Sequence, residues 1–250
     1  MKTEVIFTPA GFAPLPGQNL SATVCVVFDV LRATSTITTA LANGANAIIP
    51  VATIPEAVDL RARQPQILLA GERMGIRISA ELTGGVEFDL GNSPREFTPE
   101  TVGGRTIAIT TTNGTVALRA CAKARTTFAA SFLNLEATAA AVLKLAPERL
   151  LIVCSGTLQD AAYEDTLGAG ALVHLLPDAM LADSALIARN LYRLEQSDIT
   201  SALGSSRNGR RLRANPTLVG DLAWCAQVNL FPVTAILGID GRITKGPGSV

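Results

Sequence analysis

Residues 24–36 of the chain read Val-Cys-Val-Val-Phe-Asp-Val-Leu-Arg-Ala-Thr-Ser-Thr, so that an apolar run passes directly into a polar one. The run Val24–Val30 is apolar except for Asp29, which is typical of a strand buried on both faces of a sheet. The range Thr34–Ala42 predicts a helix, which ends at the pair Asn43-Gly44. This segment therefore predicts a buried strand, a short polar turn and a helix, with Asp29 at the carboxyl end of the strand.

The same order of elements continues along the chain and then recurs. Strands are predicted at 47–51, 67–70, 106–110, 126–130 and 150–154, and helices at 54–63, 116–123 and 135–145. We interpret the recurrence as two pseudo-repeated βαβαβ-like halves, about 22–75 and 104–156, within a single domain spanning 1–250. Chance similarity between two stretches of this kind is the alternative. In either case the alternation of strands and helices predicts an α/β fold.

Polar residues follow the ends of several predicted strands. They are Asp29, Glu72, the turn 110–115 and the pair Ser155-Gly156. In open α/β sheets, ligands bind beyond the carboxyl ends of the strands. If the strands are parallel, all four features face one rim of the sheet, and this rim is the predicted site.

The remaining segments are less regular. The range 74–104 is rich in Gly and Pro and predicts a loop or flap over the rim. Further predictions are helices at 165–176, 180–192 and 216–226, a basic turn-like stretch at 205–213, and one or two short strands within 233–243.

The composition limits the classes of function. The chain has 250 residues, 48% hydrophobic and 4% aromatic, and no formal net charge. A neutral chain lacks a bulk attraction to nucleic acid or anionic membranes, and few aromatic residues offer little for base stacking. No apolar stretch reaches the ~18 residues of a membrane span, and the N-terminus lacks a signal-peptide pattern. We therefore expect a cytoplasmic protein that binds neither nucleic acid nor membrane.

The cysteines and the histidine exclude further classes. Cys25, Cys121, Cys154 and Cys225 form no CxxC pair, and each lies in an apolar run. This pattern predicts buried thiols in a reducing compartment. Because His174 is the only histidine in the sequence, neither a Ser-His-Asp triad nor a multi-histidine zinc site is available.

Four acidic residues are candidate metal ligands: Asp29, Glu72, Glu164 and Asp165. Carboxylate oxygens suit Mg²⁺, which usually takes one or two of them and completes its shell with water and substrate oxygens. An aspartate at a strand end can also act as a nucleophile that accepts a phosphoryl group. For Glu164 and Asp165, the alternative is stabilisation of a helix N-terminus.

Anion binding is predicted from two polar turns that open helices, 32–36 and 111–115, and from unevenly placed arginines. Ordinary helix capping is the alternative for the turns, and surface solvation is the alternative for the arginines. The candidate catalytic residues are Asp29, Arg32 and Glu72. The candidate phosphate- or substrate-binding residues are Thr34, Ser35, Thr36, Arg73, Asn92, Arg95, Thr112, Asn113, Gly114, Thr115, Ser155 and Arg207.

Six short segments form an ordered set over nearly the whole chain. They are Asp-Val-Leu-Arg-Ala-Thr-Ser-Thr at 29–36, Ala-Gly-Glu-Arg at 70–73, Gly-Asn-Ser-Pro at 91–94, Thr-Thr-Thr-Asn-Gly-Thr at 110–115, Glu-Asp-Thr at 164–166 and Cys-Ala-Gln at 225–227. As a set they resemble the 2-phosphosulfolactate phosphatase family. The resemblance implies a three-layer α/β/α domain with a mostly parallel or mixed sheet. It also implies Mg²⁺-dependent hydrolysis of 2-phosphosulfolactate to sulfolactate and phosphate.

The chain departs from the family pattern at two places, and the first departure bears on the identity of the substrate. The range 78–89 is longer than is common in the family, which bears on the shape of the pocket mouth. The sequence Cys154-Ser155-Gly156 stands where the family commonly has Cys-Ala-Gly. Neither departure affects the predicted metal carboxylates.

Other functions stay open beside this one. One alternative is the same fold acting on another 2-phospho carboxylic acid, and another is a non-catalytic anion-binding domain. A haloacid-dehalogenase-type phosphatase with Asp29 as nucleophile is disfavoured, because Leu31 occupies the position of its second acid. The expected partner is a small anionic phosphate ester, and a homodimer stays open.

Overall fold

The structure is a computed structural model that describes residues 1–176 and 180–247. Its strands are β1 (Lys2–Ile6), β2 (Thr23–Phe28), β3 (Ala47–Pro50), β4 (Leu68–Arg73), β5 (Ile76–Arg77), β6 (Thr106–Thr110), β7 (Thr126–Ala130), β8 (Arg149–Cys154), β9 (Met180–Leu181), β10 (Ala235–Leu237) and β11 (Ile243–Lys245). They form one sheet in the order β5-β4-β6-β3-β11-β10-β7-β2-β8-β1-β9. Every residue of β2 is buried, as its apolar run predicts.

Helices cover both faces of the sheet, so the predicted α/β/α architecture is confirmed. They are α1 (Pro9–Phe12), α2 (Ala33–Ala42), α3 (Ile54–Arg63), α4 (Ala80–Thr83), α5 (Pro99–Val102), α6 (Gly114–Ala120), α7 (Leu135–Leu145), α8 (Tyr163–His174), α9 (Asp183–Glu195), α10 (Ile199–Ser205), α11 (Arg207–Arg213) and α12 (Gly220–Cys225). Local signals explain several boundaries. For example, the Thr53 side chain accepts the Glu56 N–H and caps α3, whose first turn holds Pro55.

The sheet is mixed and consists of two parallel blocks. The first block is β4-β6-β3 and the second is β7-β2-β8-β1-β9. Between them lies the hairpin β10-β11, which is antiparallel to β7 on one side and to β3 on the other. The two blocks therefore run in opposite directions, and a single rim formed by uniformly parallel strands is not what the structure has.

Helices α2 and α6 pack between the two blocks. One core cluster contains Ile37 of α2 and Leu118 of α6 together with Val27 of β2 and Ile109 of β6. A second cluster joins β2, β7 and β8 to α7, α8, α9 and α10, and a third joins β3, β4 and β6 to α3. Because both blocks contribute to the core around α2 and α6, the carboxyl ends of β2 and β6 come together despite their opposite directions.

The predicted halves share their strands between the two blocks. In the first block, β6 lies between β4 and β3, and in the second block, β2 lies between β7 and β8. Each predicted half therefore contributes strands to both blocks and is not a separate unit of the sheet. Their relationship as internal repeats stays a prediction.

Two segments differ from the sequence prediction. The basic stretch 205–213 is not turn-like, because 207–213 forms α11, which Ser206 caps by accepting the Gly209 N–H. The predicted helix 180–192 is divided into strand β9 and helix α9. The Met180 N–H donates to the carbonyl of Met1, which adds β9 beside β1 at the edge of the sheet.

Smaller differences concern element boundaries and the predicted loop. Strand β4 continues to Arg73, so Glu72 lies within the strand rather than after it. Helix α6 begins at Gly114, two residues before the predicted start. The range 74–104 is not a plain loop, since it contains β5, α4 and α5.

Two expectations from composition can be compared with the described residues. All four cysteines are free and buried, as predicted. No helix in the described ranges is both long and apolar enough to cross a membrane.

Candidate active site

A cleft of about 290 Å³ opens at the carboxyl ends of β2, β4 and β6 and is closed on one side by α11. Its lining residues are Asp29, Leu31, Arg32, Glu72, Met74, Gly75, Asn92, Thr111, Thr112, Asn113, Gly156, Thr157, Leu158, Arg207, Asn208 and Arg211. The predicted site residues that line it are Asp29, Arg32, Glu72, Asn92, Thr112, Asn113 and Arg207. Among these seven predicted residues, the fold brings together side chains that are up to 178 positions apart in the chain, from 29 to 207.

Asp29 follows β2, and the first turn of α2 folds back onto it. The Ala33 N–H donates to Asp29 Oδ1 over 3.1 Å. The Asp29 N–H donates to Thr34 Oγ1 over 3.0 Å, and the Thr34 N–H donates to the Asp29 carbonyl over 3.0 Å. The N-terminus of α2 therefore fixes the orientation of this carboxylate at the cleft.

Gly114 lies against the other oxygen of Asp29. A Cβ atom at this position would lie 2.5 Å from Asp29 Oδ2 and 2.7 Å from the Cβ of Ala33. A glycine is needed here because the first turns of α2 and α6 approach closely. The two polar turns that the sequence singled out are therefore neighbours.

The environment of Asp29 disfavours its charged form. Burial raises the pKa of Asp29 to about 6, and the negative charges of Glu72 and Glu164 also raise it. Hydrogen bonds from Ala33 and Ser155 act in the opposite direction. Asp29 is therefore mostly ionised at neutral pH, in surroundings where a cation would be stabilising.

Glu72 joins the two segments on either side of the cleft. The N–H and the hydroxyl of Thr112 both donate to Glu72 Oε1, each over 2.9 Å. The Gly75 N–H donates to Oε2 over 2.6 Å. These bonds connect the turn before α6 to the β4–β5 hairpin through one buried carboxylate.

Asp165, at the start of α8, connects three segments of the backbone. Its Oδ1 accepts the Val30 N–H over 2.8 Å. Its Oδ2 accepts the Ser155 hydroxyl over 3.0 Å and the Gly156 N–H over 3.1 Å. Burial, followed by the charges of Asp29 and Glu164, raises the pKa of Asp165 well above its ordinary range. Both of its oxygens serve the fold, and it does not line the cleft.

Two buried oxygen atoms beside the cleft lack a hydrogen-bond partner within the described residues: Glu164 Oε2 and Asn92 Oδ1. The other oxygen of Glu164 accepts from Asn208 Nδ2 over 2.6 Å, and the same nitrogen donates to Thr157 Oγ1 over 2.7 Å. A buried acceptor without a donor is costly, so both atoms are suited to a bound ion, water or ligand.

Arg32 is buried and is held in place from two sides. Its Nη1 donates to Asp221 Oδ2 over 2.7 Å, and its Nη2 donates to the Gly75 carbonyl over 2.8 Å. Asp221 has no exposed surface and also accepts the Ser93 hydroxyl over 2.6 Å. The peptide bond between Leu31 and Arg32 is cis. Because Asp221 and the Gly75 carbonyl hold it, the guanidinium group is a fixed positive charge at the cleft.

Helix α11 presents a second set of polar groups. Arg207, Asn208 and Arg211 all line the cleft, because Arg211 lies one helical turn after the other two, four residues after Arg207 and three after Asn208. Arg207 Nη1 lies 3.3 Å from Asp160 Oδ2, and both side chains are largely exposed. The prediction of this stretch as a turn missed Asn208 and Arg211, although the i, i+4 spacing of two arginines is visible in the sequence.

Several predicted anion-binding hydroxyls are bonded to backbone groups instead. The Ser35 hydroxyl donates to the Val30 carbonyl over 2.8 Å, and the Thr36 hydroxyl donates to the Asn92 carbonyl over 2.9 Å. The hydroxyl of Thr115 interacts with the backbone of Thr111. Like Thr34 and Ser155, these side chains are buried and do not line the cleft. Neither α2 nor α6 has a side-chain hydrogen bond at its N-cap, so ordinary helix capping does not account for these hydroxyls either.

Two predicted arginines also lie outside the lining. Arg73 donates to the Thr110 hydroxyl over 3.0 Å and to the carbonyl of Glu72. The Nε of Arg95 lies 3.8 Å from Asp221 Oδ1, behind Arg32. The substrate-binding roles of these two residues stay predictions.

A cleft that combines two carboxylates with three arginines, at strand ends of an α/β sheet, is suited to a small anionic ligand and is the candidate active site. The family model described as 2-phosphosulpholactate phosphatase matches residues 13–238. The chain therefore belongs to the 2-phosphosulfolactate phosphatase family, whose members are phosphoric monoester hydrolases, as the six sequence segments predicted.

Relatives over the full length agree with this membership. The probable 2-phosphosulfolactate phosphatase of Pseudothermotoga lettingae is 39% identical over 245 residues, which cover 98% of this chain and 99% of the relative. The protein of the same description from Carboxydothermus hydrogenoformans is 38% identical over 249 residues, covering 98% and 95%. That of Thermotoga maritima is 38% identical over 222 residues, covering 89% and 92%.

Proposed function

We propose that this protein is a Mg²⁺-dependent phosphatase that hydrolyses 2-phosphosulfolactate to sulfolactate and phosphate. The observation that supports this most directly is the single cleft lined by Asp29, Glu72, Arg32, Arg207 and Arg211. Carboxylates of this kind hold a hard cation, and arginines bind phosphate, sulfonate and carboxylate groups. The substrate carries all three of these anionic groups, and its name comes from the relatives of this chain.

The residues present fit Mg²⁺. Within the described ranges, His, Cys, Asp and Glu side chains do not gather in groups of three or more that could hold a metal ion. Mg²⁺ does not need such a group, since it usually binds through one or two carboxylates and keeps several waters. Asp29 and Glu72 would hold the ion, and the unpaired Glu164 Oε2 beside them is suited to one of its waters. Asp165 is less suited to the ion than Asp29 and Glu72, because it does not line the cleft.

The bound ion would neutralise charge on the phosphoryl oxygens. Arg32 then contributes a second positive charge whose position does not change during the reaction, since Asp221 and the Gly75 carbonyl hold it. A charge that is already oriented stabilises the transition state without a cost of reorganisation. A buried arginine with a buried partner therefore suits the stabilisation of a phosphoryl-transfer transition state.

Asp29 either binds the cation or attacks phosphorus itself. Its carboxylate is ionised at neutral pH and is oriented by the Ala33 N–H, which both roles require. The two roles differ in one measurable species. Attack by Asp29 forms an aspartyl phosphate, which acid quenching and borohydride reduction would trap at this residue, whereas attack by water forms none.

The test is phosphate release from a panel of phosphorylated 2-hydroxy acids, measured with Mg²⁺ and with EDTA. We expect 2-phosphosulfolactate to be hydrolysed fastest and only with Mg²⁺. Asp29→Asn should abolish turnover. The control Asp59→Asn, which removes an exposed charge from α3, should retain turnover. Turnover in EDTA would reject the metal requirement. Preference for another 2-phospho carboxylic acid would reject the substrate, and no turnover at all would favour a non-catalytic anion-binding domain.

A further inference from the structure

Arg211 is a positive charge at the cleft that the fold itself does not use. Within residues 1–176 and 180–247 its guanidinium group has no ion pair and no hydrogen-bond partner. Arg32, by contrast, is bonded to Asp221, and Arg207 lies 3.3 Å from Asp160. Among the three arginines that line the cleft, Arg211 is therefore the one whose charge is available to a ligand.

The position of Arg211 is defined by the backbone it packs on. A Cβ atom on Gly75 would lie 3.5 Å from Arg211 Cζ and 3.5 Å from its Nε, so the guanidinium plane lies against the β4–β5 hairpin. The same residue, Gly75, binds Arg32 through its carbonyl and Glu72 through its N–H. Arg211 therefore packs on the same turn whose carbonyl holds Arg32, the arginine assigned to the phosphate.

The substrate chemistry supplies a matching group. In 2-phosphosulfolactate the phosphate and the carboxylate are both attached to the central carbon, whereas the sulfonate is separated from it by a methylene group. The sulfonate therefore projects farther from the phosphate than the carboxylate does. A guanidinium group is suited to a sulfonate, because its N–H donors match two oxygens of one oxyanion.

From this geometry we infer that Arg211 binds the sulfonate and so distinguishes a sulfonated 2-phospho acid from the same acid without the sulfonate. The inference rests on the proposed function, since it assigns one group of the proposed substrate. A hydrogen-bonded charge pair of this type contributes roughly a 10- to 100-fold difference in kcat/KM between the two substrates.

The experiment compares kcat/KM for 2-phosphosulfolactate with kcat/KM for 2-phospholactate, which carries a methyl group where the other carries the sulfonate-bearing methylene. Both are measured for the wild type, Arg211→Gln and Arg210→Gln. Arg210 is the matched control, because it is on the same helix, loses the same charge, does not line the cleft and donates to the Ser205 carbonyl. Thermal unfolding of each variant shows whether it is folded.

We expect Arg211→Gln to lower kcat/KM 10- to 100-fold for 2-phosphosulfolactate and less than about threefold for 2-phospholactate. The variant should therefore lose the preference for the sulfonated substrate. In Arg211→Gln the inhibition constant of sulfolactate should also rise, whereas the inhibition constant of inorganic phosphate should not. Arg210→Gln should keep the wild-type preference. If Arg211→Gln keeps the preference, or loses equally on both substrates, the inference is wrong. If the wild type does not hydrolyse 2-phosphosulfolactate, the proposed function itself fails and the inference fails with it.

Discussion

Replacing Asp29 by Asn should make the protein more stable and inactive at the same time. The substitution removes a charge but keeps an oxygen that can accept the Ala33 N–H, which spans 3.1 Å in the wild type. The pKa of Asp29 is about 6 instead of the ordinary 3.8. One pKa unit corresponds to about 1.4 kcal/mol, so the ionised carboxylate costs the folded state roughly 3 kcal/mol at neutral pH.

The sign of the pH dependence follows from this shift. Because the pKa of Asp29 is raised on folding, the folded state binds more protons than the unfolded state between about pH 4 and pH 6. This carboxylate therefore lowers the free energy of unfolding as the pH rises through that window. The variant lacks this effect, so its advantage over the wild type should be near zero below pH 4 and complete above pH 6.

Thermal unfolding in EDTA at pH 7.5 and pH 4 measures this advantage. A stabilisation of about 3 kcal/mol should raise the Tm of Asp29→Asn by roughly 6–12 °C at pH 7.5. Mg²⁺ should raise the Tm of the wild type more than that of the variant, because the ion relieves the repulsion that the substitution removes. An Asp59→Asn control should show neither effect. A variant that is less stable than the wild type at pH 7.5, or that keeps full Mg²⁺-dependent turnover, would refute the reasoning.

Three further predictions test the surroundings of Asp29. Gly114→Ala should lose at least about tenfold in kcat and about 1–3 kcal/mol of stability, because the new Cβ would lie 2.5 Å from Asp29 Oδ2; full activity would contradict this contact. Asp221→Asn should lower the free energy of unfolding by about 3–5 kcal/mol, measured by thermal unfolding, since it leaves the buried charge of Arg32 without its charged partner. The exposed Asp240→Asn should lower it by less than about 1 kcal/mol. The acid limb of kcat/KM should lie near pH 6 and move to lower pH as Mg²⁺ rises, because the ion competes with the proton on Asp29; a limb that does not move with Mg²⁺ would show that another group titrates there.

Local sequence signals located most of the elements around the site. The apolar run of β2, the Asn43-Gly44 pair after α2 and the capped start of α3 each depend on neighbouring residues, so a single sequence was sufficient. The prediction of a turn-like stretch at 205–213 was wrong, because 207–213 forms helix α11, which Ser206 caps. The predicted helix 180–192 is confirmed from 183 onward by α9, and it was wrong only at its start, where β9 forms because β1 lies beside it.

In the candidate site, too, some residues were identifiable from the sequence and others only from the structure. Asp29 and Glu72 were identifiable because an acid beside an apolar strand needs a partner or a metal. Nothing local separates Asp165 from Glu164, which are adjacent in the chain. Yet Asp165 uses both oxygens to hold backbone and hydroxyl groups, whereas Glu164 retains an unpaired oxygen. Likewise, only the packing of α11 against the cleft separates Arg211 from Arg210.

The residue types, their order and their motifs were sufficient to recognise an α/β phosphatase family and the two polar turns at its centre. These are properties of short segments, in which hydrophobic period and turn chemistry act between near neighbours. Only the tertiary structure decided three other features. They are the opposite directions of the two blocks, the contact between Gly114 and Asp29, and which polar side chains keep an atom without a hydrogen-bond partner. They depend on contacts between residues far apart in the chain, where burial and the competition for hydrogen-bond partners determine which side chains remain free for a substrate.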